Sequence, residues 1–208
     1  MILAPVLSRC LACVVLAACM LVAGCSLTRE SPVKQTYILD AQMPPAGQKT
    51  QPASVRVSSI SIAAPFRSRN FIYRTGDLSF ANDFYDEFLV PPSALLAEQT
   101  ARALQSAHTF ALVLPPGTNA DADYILEGFV SALYVDQRTA SRPAAELTIA
   151  YFLTSSSATV PMWTREYHQR VDLAGNTSSA YGAALNTALG EVLGELVRDL
   201  SALDLKKP

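Results

Sequence analysis

Residues 178–203, SSAYGAALNTALGEVLGELVRDLSAL, decide the fold because they carry the clearest periodicity in the chain. Most of their charged side chains lie off one apolar stripe. The stripe recurs at helical spacing through Tyr181, Leu185, Ala188, Val192, Leu196 and Leu203. This pattern predicts an amphipathic helix that packs one face against a core, with Ser178 as its N-cap.

Three strand patterns precede that helix. Residues 124–135 are nearly all apolar, which predicts a central strand. Residues 146–154 alternate, and residues 162–171 place Trp163, Tyr167 and Val171 on one face, with Arg165 and Gln169 intruding. The short polar links between them predict an antiparallel meander.

Further upstream, Pro91 and Pro92 open a helix pattern that runs to about residue 107. Strand patterns cover residues 36–40, 55–62, 71–74, 78–80 and 110–114. In 55–62 the apolar phase changes midway, and a bulge near Ser58 and Ser59 would bring its four apolar residues to one face. The order strands, helix, strands, helix predicts an α+β fold, a mostly antiparallel sheet with two helices packed on one face.

The N-terminal residues 1–24 read as a signal peptide. Between Cys10 and Gly24 there is neither charge nor proline, and this apolar run is shorter than the ~20 residues of a membrane span. Small residues then precede Cys25 in Val-Ala-Gly-Cys, and the chain turns polar at once. This order resembles the bacterial lipoprotein signal, so we expect cleavage before Cys25 and its acylation. Cys19 is an alternative site, and a secretory signal or an N-terminal membrane helix is an alternative reading.

Composition limits the remaining chemistry. The four cysteines are Cys10, Cys13, Cys19 and Cys25, so a chain cut before Cys25 keeps one thiol and has no disulfide, zinc site or cysteine nucleophile. The net charge of −2 becomes −3 without the leader, which gives no electrostatic case for nucleic acid. We expect a lipidated tether with a short strand over 25–53 and a single α+β domain over 54–208.

Catalytic signatures are missing from the sequence. There is no Gly-x-Ser-x-Gly elbow, phosphate loop or His-Glu-x-x-His motif, and the two histidines, His108 and His168, read as a helix end and a solvated strand face. We therefore predict no enzyme activity, no cofactor and no metal.

Residues 66–90, FRSRNFIYRTGDLSFANDFYDEFLV, interleave arginines with aromatic residues. They are either core, packed under a helix, or a protein interface, because Arg, Tyr and Phe are the residues that anchor such contacts. We expect Arg69 and Tyr73 to matter more for binding than for folding.

The lipobox, the short Tyr-x-Leu strand, "RSRNFIYR" and "FYDEFLVPP" ahead of a helix together resemble the ABC-type transport auxiliary lipoprotein family, also called the paraquat-inducible lipoprotein family. The resemblance implies a non-enzymatic outer-membrane partner of mammalian-cell-entry (MCE) proteins, which move phospholipids or other lipids between bacterial membranes. It points to Arg69, Tyr73 and Arg74 as partner-binding residues. Asn70 stands where many relatives have proline.

The expected protein is thus lipid-anchored at the periplasmic face of the outer membrane, where it docks the periplasmic MCE protein of an ABC lipid transporter. Ser26, not aspartate, follows Cys25, which favours the outer membrane. The alternative function is an assembly or pilot lipoprotein of another outer-membrane complex. The oligomeric state is left open, a homo-oligomer included.

Overall fold

Strand β6 (Tyr124–Asp136) lies at the centre of an eight-stranded sheet in the computed structural model, which describes residues 33–206. The predicted leader and Cys25 lie outside the described residues. The elements follow in the order β1 (Gln35–Tyr37), β2 (Gln51–Ile62), a 3-10 helix (Ala64–Phe66), β3 (Asn70–Arg74), β4 (Phe80–Phe88), α1 (Pro92–Ser106), β5 (Phe110–Leu114), β6, β7 (Ala144–Ser155), β8 (Trp163–Asp172) and α2 (Ser178–Ala202).

The strand order makes the sheet mixed. β7 runs antiparallel along the whole of β6 and then pairs with β8, so the predicted meander is confirmed. The other edge of β6 is shared by β2 and β3, both parallel to it. β2 continues to β5, and β3 continues through β4 to β1. The α+β class is confirmed, with four parallel pairings beside the antiparallel ones among residues 33–206.

Both helices cover the same face of the sheet. The Thr100 hydroxyl of α1 is 2.9 Å from the Tyr151 hydroxyl of β7, and the Tyr167 hydroxyl of β8 donates to Asp199 of α2 at 2.6 Å. The two tyrosine rings are neighbours, 6.1 Å apart. The intruding residues of β8 also face α2, because Gln169 bonds Glu195 there.

The bulge predicted in β2 is present. Its pairing with β6 shifts between Val57 and Ile60, and the apolar residues on either side of the shift are all buried: Val55, Val57, Ile60 and Ile62. One extra residue changes the phase of the alternation and keeps one apolar face toward the core.

The unpaired backbone groups at the two ends of α2 find their hydrogen-bond partners in different ways. Thr177, and not the predicted Ser178, is the N-cap of α2, since its hydroxyl accepts from the Ala180 amide at 3.1 Å. At the other end the fully buried Gln51 donates its side-chain amide to the carbonyls of Leu200 and Leu203 at 2.8 and 2.7 Å. Gln51 of β2 therefore provides donors for the C-terminal carbonyls of α2, the last helix of the domain.

The structure describes the predicted tether, residues 25–53, from residue 33 onward. This part packs closely against the helices. Leu39 and Ala41 are buried, and the side chain of Gln99 in α1 bonds the backbone of both. A Cβ at Gly190 of α2 would lie 3.4 Å from the Gln42 carbonyl oxygen, so the glycine permits this approach. The boundary predicted at 53/54 falls inside β2.

Candidate interaction surface

The exposed apolar side chains concentrate on one segment. Of the twelve large hydrophobic residues that are exposed among residues 33–206, six lie between Leu78 and Val90: Leu78, Phe80, Phe84, Tyr85, Leu89 and Val90. They belong to or directly follow the hairpin of β3 and β4. Exposed apolar patches mark contact sites for proteins or membranes.

The tip of the hairpin is an aromatic cluster with an arginine at its centre. The Arg74 guanidinium lies 5.8 Å from the Phe80 ring centroid and 6.0 Å from that of Tyr134, and it donates to the carbonyls of Gly76 and Asp77. Cation–π contacts of this geometry stabilise by ~0.5–1 kcal/mol at exposed sites. Leu78 projects from the turn and is 96% exposed. We call Arg74, Leu78, Phe80 and Tyr134 the tip patch.

Further along the hairpin, β4 bulges outward. Asn82 is opposite Ile72 and Glu87 is opposite Asn70, so four residues of β4 span what one residue of β3 spans. Phe84 in this bulge is 76% exposed. Bulges of this kind re-aim side chains away from the sheet.

Asp83 holds the bulge in shape. Its carboxylate accepts from the amides of Tyr85 and Asp86 at 2.8 and 3.0 Å, and from the Tyr73 hydroxyl at 2.9 Å. The Asn70 side chain donates to the Asp83 carbonyl at 2.8 Å. Phe84 and Tyr85 are therefore presented by a hydrogen-bonded frame, and their rings contact at 5.2 Å.

Further exposed apolar residues lie on the connections that follow β1 and β4. The Leu89 amide donates to the Tyr37 carbonyl at 2.8 Å, which places Leu89 beside the exposed Ile38. We call the set the base patch: Ile38, Phe84, Tyr85, Leu89 and Val90.

The three residues predicted to bind a partner all lie on or beside β3, but each has intramolecular partners. Arg69 donates to the Phe88 carbonyl and to Glu87, at 2.9 and 2.8 Å, and Lys34 pairs with the same carboxylate. The hydrogen bond from Lys34 lowers the pKa of Glu87. Arg69, just before β3, thus bonds to the end of β4 at the base of the hairpin.

Tyr73 points toward α2, where its ring lies 6.5 Å from that of Tyr181. Burial, followed by the hydrogen bond to Asp83, raises the pKa of the Tyr73 phenol far above its ordinary value. The phenol is therefore neutral and donates to the carboxylate of the bulge. Of the three predicted residues, only Arg74 belongs to an exposed aromatic cluster.

A charged network on the other side of the sheet holds β6, β7 and β8 together. Asp136 accepts from Arg138 and from Arg170, which also pairs with Glu146, and His168 lies 2.8 Å from Glu146. The hydrogen bonds from Arg138 keep the pKa of Asp136 well below its usual range. Every charged residue of this network has a partner of opposite charge or a hydrogen bond. We therefore interpret the network as a structural one that stabilises the pairing of these strands.

No arrangement for metal chemistry is present in the part of the chain that the structure describes, where no three His, Cys, Asp or Glu side chains group as ligands. Nor does any helix among residues 33–206 combine the length and apolar character of a membrane span.

A cavity of about 640 Å³ lies between residues 44–49 and α2, lined by Lys49, Gly194 and Arg198 among others. None of the residues that line it belongs to the hairpin.

Six exposed apolar residues lie in the segment 66–90 that the sequence singled out, but they are not the residues that it predicted to bind a partner. The overlooked signal is Asn82-Asp83 in the middle of FANDFYDEF. Asn and Asp bond the backbone beside them and favour turns and bulges, so they mark the point where β4 leaves its ladder.

Comparisons with known proteins agree with this fold. The crystal structure of protein XCC0632 from Xanthomonas campestris, of the DUF330 family, matches with a TM-score of 0.71 and 22% identity, over 78% of this chain and 92% of that chain. A second crystal structure, of an uncharacterized protein, matches with a TM-score of 0.62 and 11% identity, over 81% of this chain and 99% of the other. At these identities the likeness shows the fold alone. No curated protein matches the sequence.

The family comparison goes further. The model of the ABC-type transport auxiliary lipoprotein component matches residues 37–197, from β1 to the last turns of α2. This range includes the whole hairpin, both patches and the charged network. The chain therefore belongs to the family of ABC-type transport auxiliary lipoprotein components.

Proposed function

We propose that this chain is the lipid-anchored, non-enzymatic auxiliary subunit of an ABC-type envelope lipid transporter. It is acylated at Cys25, is held at the periplasmic face of the outer membrane, and docks the periplasmic MCE protein of the transporter. The family match supports a transport role, and the Val-Ala-Gly-Cys sequence supports the anchor. Its mechanism is attachment and positioning, with the energy supplied by another subunit.

The tip patch is the observation that carries the docking role. A fully exposed leucine, an exposed phenylalanine and an arginine held over two rings form the mixture of apolar and cationic groups that anchors protein contacts. Arg74 would contact the partner. Arg69 and Tyr73 would act indirectly, by stabilising the hairpin that carries the tip patch.

Copurification of the full-length lipidated chain with the MCE protein tests this role. Leu78→Asp should weaken capture by about thirtyfold, since an unpaired charge placed in an apolar contact costs ~2 kcal/mol or more. Leu78 makes almost no contact within the domain, so the melting temperature should not change. Val160→Asp is the matched control, because Val160 is also an exposed apolar residue in a loop, at 71% exposure.

Two outcomes would contradict the proposal. Equal capture by Leu78→Asp and Val160→Asp would show that the partner contacts another surface. Capture of a different outer-membrane complex, without the MCE protein, would establish the alternative role as an assembly or pilot lipoprotein.

A further inference from the structure

The base patch has a different position in the molecule from the tip patch. The tip closes at the pairing of Arg74 with Phe80, whereas the base lies where β1 joins the sheet beside residues 86–88. No ring contact links Phe84 or Tyr85 to the tip cluster among the described residues. The two patches are therefore separate surfaces on one hairpin.

The base patch is next to the point where the chain enters the domain. Lys34 pairs with Glu87 of β4, and Gln35 is in register with Asp86. Only eight peptide steps separate Val33 from Cys25, and an extended chain covers at most ~3.3–3.6 Å per step, about 29 Å in all. An acylated Cys25 would thus keep this end of the domain within about 29 Å of the lipid surface, a distance close to the thickness of the bilayer's hydrocarbon core.

The chemistry of the patch suits a lipid interface. It combines a phenylalanine, a tyrosine and aliphatic residues, and aromatic side chains with a polar end concentrate at the level of lipid headgroups. The nearby carboxylates are already engaged: Asp83 by the bulge, Asp86 by the Ser178 hydroxyl at 2.6 Å, and Glu87 by Lys34 and Arg69. Among the described residues beside the patch, Lys34 and Arg69 are both paired with Glu87, so contact by this part of the chain would depend on apolar insertion and not on anionic lipid.

We infer that the base patch rests on the lipid surface beside the anchor, with Phe84 and Tyr85 inserted at the boundary of headgroups and acyl chains. The Asp83 frame keeps these rings pointed outward in the free protein. A second attachment of this kind would orient the domain, because an acyl anchor on a linker alone leaves it free to rotate. The inference rests on the proposed anchor at Cys25 and leaves the tip patch available to the MCE protein.

Depth-dependent fluorescence quenching tests the inference on the full-length lipidated chain. Trp163→Phe removes the single native tryptophan. Phe84→Trp then places a probe in the base patch, and Leu112→Trp places the control probe in β5, at the opposite end of the strand order and 53% exposed. Both proteins are reconstituted in phosphatidylcholine vesicles with brominated acyl chains, after circular dichroism has confirmed that they fold.

The expected result is a blue shift and loss of most emission for the probe at position 84, with neither change for the probe at position 112. Raising the salt concentration or adding anionic lipid should leave both signals unchanged. Retention on vesicles without selective quenching at position 84 overturns this inference and leaves the proposed function intact. Failure of both proteins to associate with vesicles overturns the anchor and the inference together.

Other occupants of the patch give distinct signals. A blue shift at position 84 that requires the MCE protein and not lipid would assign the base patch to that partner. A shift that grows with protein concentration in the absence of lipid would assign it to a second copy of the chain. Either result overturns the lipid contact.

Discussion

Gln51 offers the most direct test of how the domain is held together. Its side-chain amide is fully buried and carries two N–H donors, which face the carbonyls of Leu200, Ser201 and Leu203, while its oxygen accepts from the Leu205 amide at 3.3 Å. Gln51→Leu keeps the approximate volume and removes the bonds of two N–H donors and one oxygen, three in all when a donor shared between two carbonyls is counted once. At ~0.5–1.5 kcal/mol net for each bond, the loss is about 3 kcal/mol.

For a domain of this length, ~1 kcal/mol corresponds to a change of roughly 2–4 °C in the melting temperature, so Gln51→Leu should lower it by about 6–12 °C. Thermal unfolding followed by circular dichroism measures the change. The matched control is Gln48→Leu, because Gln48 is exposed and close by in the sequence. If Gln51→Leu melts together with Gln48→Leu, the amide does not stabilise the helix end and the reasoning is refuted.

Gln51→Glu is an independent check with a defined pH dependence. A carboxylate in place of the amide would face carbonyl oxygens in a buried site, which raises its pKa in the folded state. A group with a raised folded pKa stabilises the fold most where it is protonated, so the deficit relative to wild type should shrink as the pH falls from 8 to 5.

Three further predictions concern the hairpin, the charged network and the anchor. Arg69→Ala with Tyr73→Ala should lower the melting temperature measurably, since both side chains bond within the hairpin; unchanged melting would restore their role as purely partner-binding residues. Asp136→Asn should destabilise by about 1 kcal/mol at pH 7, because the buried carboxylate loses its charge-assisted bonds to Arg138 and Arg170, whose side chains are themselves 38% and 40% exposed. Because the folded pKa of Asp136 is lowered, its contribution is present above the unfolded value of ~4 and is lost as the pH falls below it, so urea unfolding should show a smaller acid-dependent loss in the variant. Cys25→Ser should leave an unprocessed precursor in a metabolic acylation assay while Cys19→Ser is acylated normally, and the reverse result would move the anchor to Cys19.

The local spacing of apolar residues was sufficient to predict most of the helices and strands. The stripe of α2, the apolar run of β6 and the alternation of β7 and β8 are each decided by neighbours within one element, so residues 124–203 were predicted nearly to their ends. The bulge in β2 was predicted for the same reason. A shift of apolar phase between Val57 and Ile60 is visible in the sequence itself.

Long-range pairing was not predictable in this way. β2 lies between β5 and β6 and is parallel to both, and nothing in its alternation indicates direction or partner. The same limit applies to the candidate site. Arg69 and Tyr73 are conspicuous residue types, yet their donors are used within the hairpin, whereas Phe84 is exposed in a bulge whose backbone bonds to Asp83. Exposure depends on those pairings, which residue type alone does not reveal.

The hydrogen bonds from Gln51 to the end of α2 also have a consequence for the export that we propose for this chain. The amide of Gln51 and the carbonyl of Leu200 are 149 residues apart in sequence, and both neighbours of β2 in the sheet lie downstream of it. On the proposed route across the inner membrane, β2 would have both of its sheet neighbours once β6 has emerged, but the Gln51 amide would lack its partners until Leu200 to Leu205 have followed. Folding that waits for these last residues would leave the emerging chain unfolded during translocation, the state in which a secretion channel can thread it. Completion of the fold would then come only after translocation.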